Sequence, residues 1–210
     1  SASAAVYTLD YLMTGNQGGD VGVTVGDKIF TDWGFGAAGT APLTAAQVGV
    51  DITGSGSDYY VSFSGAFQAF NGAIYDYQLY YSVATVSGAK LIGAIDQEFV
   101  LTAAGNGGIV AIGEKVKNAA GATVAQSSVS FVYGVGDFED PDPEPLQGDQ
   151  LIINPLENKV WVEKDILLMS DGRGSGVAVT ILTQSFHQQV PDGGATLSLL
   201  GLALAGVAMV

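Results

Sequence analysis

Turn-forming residues interrupt this chain at intervals too short for long helices. Asn16 to Gly19, Gly26-Asp27, Gly54 to Ser57, Asn71-Gly72, Ser87-Gly88, Gly105 to Gly108 and Ala120-Gly121 each break the pattern. Between them, apolar and polar residues tend to alternate, and a period of two places successive side chains on opposite faces of a strand. Strands are predicted over 6–13, 21–25, 28–35, 47–53, 58–67, 77–86, 91–103, 108–117 and 122–133. Two more, 159–169 and 176–187, read as a hairpin across 170–175. Short strands separated by Gly-rich turns predict an all-β fold, an antiparallel β-sandwich of jelly-roll-like form. No repeat of fixed period is present, which argues against solenoids and propellers. No long segment before Leu197 has apolar residues at helical spacing. Trp33, Phe35, Trp161 and Val179 are expected in the core.

Composition sets limits on partners and chemistry. The chain has 210 residues, 48% of them hydrophobic and 13% charged, enough to bury one large core. It has no Cys, so burial rather than disulfides must hold it together, and zinc sites built on Cys are excluded. A net charge of −14 repels nucleic acid. The expected organisation is a sandwich domain over 1–189 and a distinct tail over 190–210. Within the domain, 136–149 is an acidic excursion whose prolines forbid a central strand. Asp137, Glu139, Asp140 and Asp142 offer it oxygen ligands for calcium, although the spacing is not that of an EF-hand loop. A solvated acidic loop is the plainer alternative.

Catalysis usually needs several groups able to exchange protons or attack. The chain has one His, His187, near the end of a strand and beside Gln184, Gln188 and Gln189; it reads as a solvated or capping residue. There is no Gly-x-Ser-x-Gly elbow and no phosphate cradle. The expectation is that the protein is not an enzyme. Aromatics crowd one region: Tyr59, Tyr60, Phe67, Phe70, Tyr75, Tyr77, Tyr80 and Tyr81, interleaved with Gln68, Asn71 and Asp76. Alternation buries one face of such strands. Exposed Tyr beside Asn and Asp suits stacking on sugar rings or contact with another subunit.

The tail differs from everything before it. Val190, Pro191, Asp192, Gly193 and Gly194 lead into the uncharged run 197–210, apolar on every face of a helix. This arrangement resembles the sorting signal of PEP-CTERM exported proteins, in the variant that reads Val-Pro-Asp-Gly-Gly. The resemblance implies export, a membrane helix over 197–210 and processing by exosortase, a transpeptidase-like membrane enzyme. Two further blocks, 23–35 and 161–186, resemble segments of the same family. No Lys or Arg follows Arg173, so the family's basic cluster is absent. The apolar run is about 14 residues, where a membrane span needs roughly 20. The small residues Ser1 to Ala5 are compatible with a mature start from which a signal peptide has been removed.

Two functional expectations follow. The first is a secreted, non-catalytic structural protein of the extracellular space or cell surface. It would assemble with itself into a fibre, sheath or matrix. One C-terminal apolar α-helix, with Leu197, Leu200, Leu204 and Val207, would be buried between subunits after transient contact with the membrane. The second is an extracellular polysaccharide-binding module of a biofilm matrix, assisted by calcium. The implied partners are other copies of the chain, exosortase during sorting, and exopolysaccharide.

Overall fold

The computed structural model describes residues 5–15, 18–86, 89–103, 108–132, 149–172 and 176–189. Strand β1 (Ala5–Thr8) leads into helix α1 (Leu9–Thr14), followed by β2 (Val23–Val25) and β3 (Lys28–Ala38). A 3-10 turn at Ala45–Gln47 precedes β4 (Gly49–Ser55), β5 (Asp58–Phe70), β6 (Ile74–Thr85) and β7 (Leu91–Ala103). The series continues with β8 (Ile109–Asn118), β9 (Thr123–Val132), β10 (Asp149–Glu157), β11 (Lys159–Met169) and β12 (Gly176–Gln189). They form two six-stranded sheets, A in the order β1-β4-β5-β12-β7-β10 and B in the order β2-β3-β6-β11-β8-β9. Every neighbouring pair is antiparallel, so the fold is a β-sandwich of jelly-roll-like form.

Alternation explains which side chains lie between the sheets. On β11, Val160, Val162, Ile166 and Leu168 are buried, while Trp161, Glu163, Asp165 and Leu167 face outward. On β6 the inward set is Tyr77, Leu79, Tyr81 and Val83. Aromatic rings knit the layers: Trp33 stacks on Tyr81 at 5.4 Å, Phe63 meets Tyr81 at 5.6 Å, and Phe30 meets Phe186 edge-on at 6.1 Å. A polar network crosses this core. Lys164 Nζ lies 2.5 Å from Glu114 Oε2 and 3.2 Å from Gln97 Oε1, and Gln97 Nε2 donates to Ser127 Oγ at 2.6 Å.

Trp33 sits at a β-bulge in β3, where pairing with β6 slips between Thr31 and Gly34. Asp32 adopts φ 58° there. Asp20 pins the bulge: its carboxylate accepts from Thr31 Oγ1 and Asp32 N at 2.7 Å each and from Trp33 N at 3.1 Å. The indole is thereby aimed inward and donates from Nε1 to the Val21 carbonyl at 3.0 Å.

Several expectations need correction. The predicted strand 6–13 ends at Thr8, whose hydroxyl accepts from Tyr11 N at 3.3 Å and caps α1; Leu9 and Leu12 then bury on one helical face. A helix therefore exists outside the tail. The predicted hairpin 159–187 does not form, because β11 lies in sheet B and β12 in sheet A. The chain instead crosses between sheets, as it does from β5 to β6 through Asn71 and Gly72, both with positive φ. The two crossovers touch: a Cβ added to Gly72 would lie 3.4 Å from Gly172 Cα, and Ser170 N donates to the Ala73 carbonyl at 3.0 Å. Strand β10 was not predicted; Pro155 falls where its pairing with β7 breaks between Ile152 and Glu157. Phe35 is half-buried against the core. Trp161 is only half-buried on the outer face of sheet B, with Lys159 Nζ 4.4 Å from its ring centroid. The predicted helix 197–210 lies outside the described residues. Among the described residues, no helix is long and apolar enough to cross a membrane.

The two tryptophans should separate cleanly. Trp33→Ala is expected to cost about 3–5 kcal/mol in urea unfolding, and Trp161→Ala about 1 kcal/mol. Equal losses would contradict the assignment of one ring to the core and the other to the outer face.

Candidate functional site

The outer face of sheet B carries a groove of about 550 Å³. Register builds it from two parallel rows. In one, Gly34 of β3 pairs with Tyr80, Tyr80 with Glu163, Glu163 with Lys115, and Lys115 with Gln126. In the next, Gly36 pairs with Gln78, Gln78 with Asp165, Asp165 with Gly113, and Gly113 with Ser128. Gly34 lets the Tyr80 ring lie back, since a Cβ there would be 3.2 Å from the ring. Gly113 forms an open floor, and its Cβ would meet Asp165 Cβ at an ordinary 3.6 Å.

Four of the groove's polar side chains, Gln78, Tyr80, Glu163 and Asp165, are held by neighbours. The Tyr80 hydroxyl donates to Gln78 Oε1. Lys117 Nζ lies 2.5 Å from Glu163 Oε1 and fixes that carboxylate beside the neighbouring Trp161 row. Burial, helped by the carboxylates of Glu163, Asp165 and Asp76, pushes the Tyr80 phenol up, so it remains a neutral donor. Burial also pushes the Asp165 carboxyl up, and a hydrogen bond with Asp76 adds to this because both carboxylates cannot ionise freely side by side. Donors and acceptors thus repeat at about the 4.8 Å strand spacing. That arrangement suits a ligand bearing many hydroxyls.

A second polar cluster lies on the outer face of sheet A. Ser185 and His187 project from β12, Asp58 from β5 and Asp96 from β7. His187 Nδ1 is 2.7 Å from Asp58 Oδ1, while Nε2 is 2.7 Å from Asp96 Oδ2 and 3.0 Å from Ser185 Oγ. The set has the members of a nucleophile-base-acid triad, but both ring nitrogens face carboxylates and Ser185 Oγ lies 3.2 Å from Asp96 Oδ2. Burial opposes the charge on His187, yet the hydrogen bonds to Asp58 and Asp96 outweigh it and push the imidazole up. Both ring nitrogens are engaged by carboxylates and Ser185 Oγ shares Asp96, so the arrangement is not that of a base directed at one hydroxyl. The sequence suggested a solvated or capping residue; in the fold His187 is a tie between β5, β12 and β7.

The aromatic cluster divides as alternation requires. Tyr59, Phe67, Tyr77 and Tyr81 are buried, Tyr60 and Phe70 are exposed on sheet A, and Tyr80 lines the sheet B groove. Sequence reasoning missed Lys115, Gln126, Ser128, Glu163 and Asp165, whose one signal is their position on the outward half of each strand. The expected calcium ligands Asp137, Glu139, Asp140 and Asp142 lie outside the described residues. So do the expected sorting motif, Val190 to Gly194, and the helix residues Leu197, Leu200, Leu204 and Val207. Among the described residues, no group of three or more His, Cys, Asp or Glu is placed to hold a metal.

The His187 clamp should show in pH dependence. Because its folded pKa is raised, its stabilisation is complete below the ordinary value of 6.5 and is lost as pH rises through the folded value. The melting temperature is expected to fall over that range in the parent chain. His187→Asn should lower the melting temperature at acidic pH and remove this slope.

Residues 189–210 match the model of the VPDSG-CTERM motif. No curated protein matches the chain. Among solved structures, a carbohydrate-binding module, TmCBM61, in complex with beta-1,4-galactotriose is 14% identical, with 75% of this chain and 89% of that one covered and a TM-score of 0.34. The family 11 carbohydrate-binding module of the Clostridium thermocellum cellulosomal cellulase Lic26A-Cel5E is 10% identical, with coverage of 76% and 89% and a TM-score of 0.27. A structure of infectious bursal disease virus, Gt strain, is 12% identical, with coverage of 91% and 51% and a TM-score of 0.35. At these scores none of the three likenesses bears on ligand or activity. The motif is a cell-surface sorting signal related to exosortase systems, and the chain that carries it is an exported cell-surface protein.

Proposed function

We propose that this exported sandwich binds a neutral polysaccharide along the groove of sheet B and does not cleave it. The observation that carries this reading is the pair of register rows that gather a phenol, two amides, a hydroxyl, carboxylates and an ammonium around one groove. Sugar hydroxyls pair with such groups, and the C–H face of a sugar ring rests on an aromatic such as Tyr80. Trp161, one row further along sheet B, extends that surface. The net charge of −14 disfavours anionic polymers. Self-assembly through 197–210, the other expectation, is a separate proposal, and deleting those residues should abolish any polymer it makes.

Affinity electrophoresis of the purified chain against galactan, mixed-linkage glucan, mannan and polygalacturonate tests the groove. At least one neutral polymer should retard the protein, and polygalacturonate should not. Tyr80→Ala is expected to weaken binding about tenfold, the equivalent of 1.4 kcal/mol. Gly113→Leu should block the groove while leaving the melting temperature nearly unchanged, because its Cβ has room. Binding that survives both substitutions, or retardation by none of the neutral polymers, would overturn the proposal.

A further inference from the structure

A sheet edge offers unpaired N–H and C=O groups to any strand that reaches it, and natural proteins blunt edges by shortness, proline, bulges or charge. Three of the four edges here are blunted. Strand β1 has 4 residues, β2 has 3, and β10 contains Pro155 and a register break. Strand β9 is neither short nor charged and contains no proline; its register break with β8 lies at its start, between Thr123 and Ala125. It runs for 10 residues, Thr-Val-Ala-Gln-Ser-Ser-Val-Ser-Phe-Val, and no charged residue occurs between Lys117 and Asp137.

Burial along this edge points the same way. Val110, Ile112 and Val116 of β8 are fully buried, whereas Val124, Ala125 and Val129 of β9 are only half-buried against the same core. Among the described residues, the apolar flank is thus less covered at β9 than at β8, with β10 of sheet A the element that approaches it.

We propose that β9 is the docking edge for a second copy of this chain, which pairs antiparallel through the same strand and merges the two B sheets into one. Charge selects this occupant. Two chains of −14 repel one another except where carboxylates are absent, and β9 is uncharged with Lys115 and Lys117 projecting from β8 beside it. The strand is also self-complementary. Pairing centred on Ser128 places it opposite Ser128 of the second copy, and Gln126 opposite Ser130 of the second copy, so uncharged polar groups meet at these outer-face positions. Such an isologous contact closes as a dimer rather than growing into a fibre.

Pairing would also enlarge the groove, because Gln126 and Ser128 line it. From the β6 strand of one copy to that of the other is seven strand steps, about 34 Å at the usual spacing. This consequence rests on the polysaccharide reading; the dimer itself does not.

Sedimentation velocity of the full chain without ligand tests the pairing. A concentration-dependent dimer is expected. Ser128→Lys, which places like charges face to face at the dyad, should raise its dissociation constant at least tenfold without changing the melting temperature. Ile181→Lys, on the outer face of sheet A, should leave it unchanged. The chain has no Cys, so Ser128→Cys provides a clean second reading: oxidation should yield a disulfide-linked dimer, while Ser64→Cys should not. A chain that stays monomeric at all concentrations would overturn the proposal. So would a dimer indifferent to Ser128→Lys, as assembly through another surface would be, or a Ser128→Cys chain that fails to cross-link. A failure of polysaccharide binding alone would leave the dimer standing.

Discussion

Lys164 and Glu114 face each other at 2.5 Å in an interior that is otherwise mostly aliphatic and aromatic, with side chains 1% and 0% exposed. Removing two charges from water is costly, and the pair is tolerable only because other polar groups complete its hydrogen bonding. Those groups come from the opposite sheet: Gln97 on β7 accepts from Lys164, and Gln184 Nε2 on β12 lies 3.4 Å from Glu114 Oε1. The network thus reads the position of sheet A against sheet B, which apolar packing alone does only loosely. A sheet displaced by one residue would leave a buried charge unmatched, at a cost of about 3–5 kcal/mol. The outer-face geometry depends on this alignment, because the groove residues Glu163 and Asp165 flank Lys164 on the same strand.

Much of the sandwich was legible in the sequence, since alternation and turn residues are local signals. The bounds of β7 and β11 agree with those predicted, and those of β8 and β9 differ by one residue at each end. Errors arose where a local signal was ambiguous. The alternating residues 6–13 resemble a strand until Thr8 is recognised as a helix cap. Strand β10, with Pro155 inside it, lacks the alternation by which the other strands are read, although proline is admissible on an edge strand. The segment 170–175 looks like a hairpin turn because sequence does not say whether a turn stays within one sheet.

The functional surfaces were less legible, for a physical reason. The groove is a product of register: Tyr80 has room because Gly34 lies opposite it, and the floor is open because Gly113 lies beside Asp165. Neither neighbour can be found by scanning for motifs. His187 is a sharper case, since its partners Asp58 and Asp96 are separated from it by 129 and 91 residues. Seen alone it was a polar residue near a strand end; in the fold it ties three strands together. The sorting signal, in contrast, is a contiguous string and needs no fold to be recognised.

The order in which strands enter sheet A has a bearing on export. Strand β12 lies between β5 and β7, so it is a central strand although it is the last in the chain. Until it arrives, β5 and β7 both lack their shared neighbour, and Phe186 is missing from beneath Phe30 and Tyr81. A chain emerging amino end first therefore cannot close its sandwich until residue 189 is available, where the matched sorting segment begins. Completion of the fold and presentation of the sorting signal become nearly simultaneous events, and a chain that stops before β12 lacks both its central strand and its address.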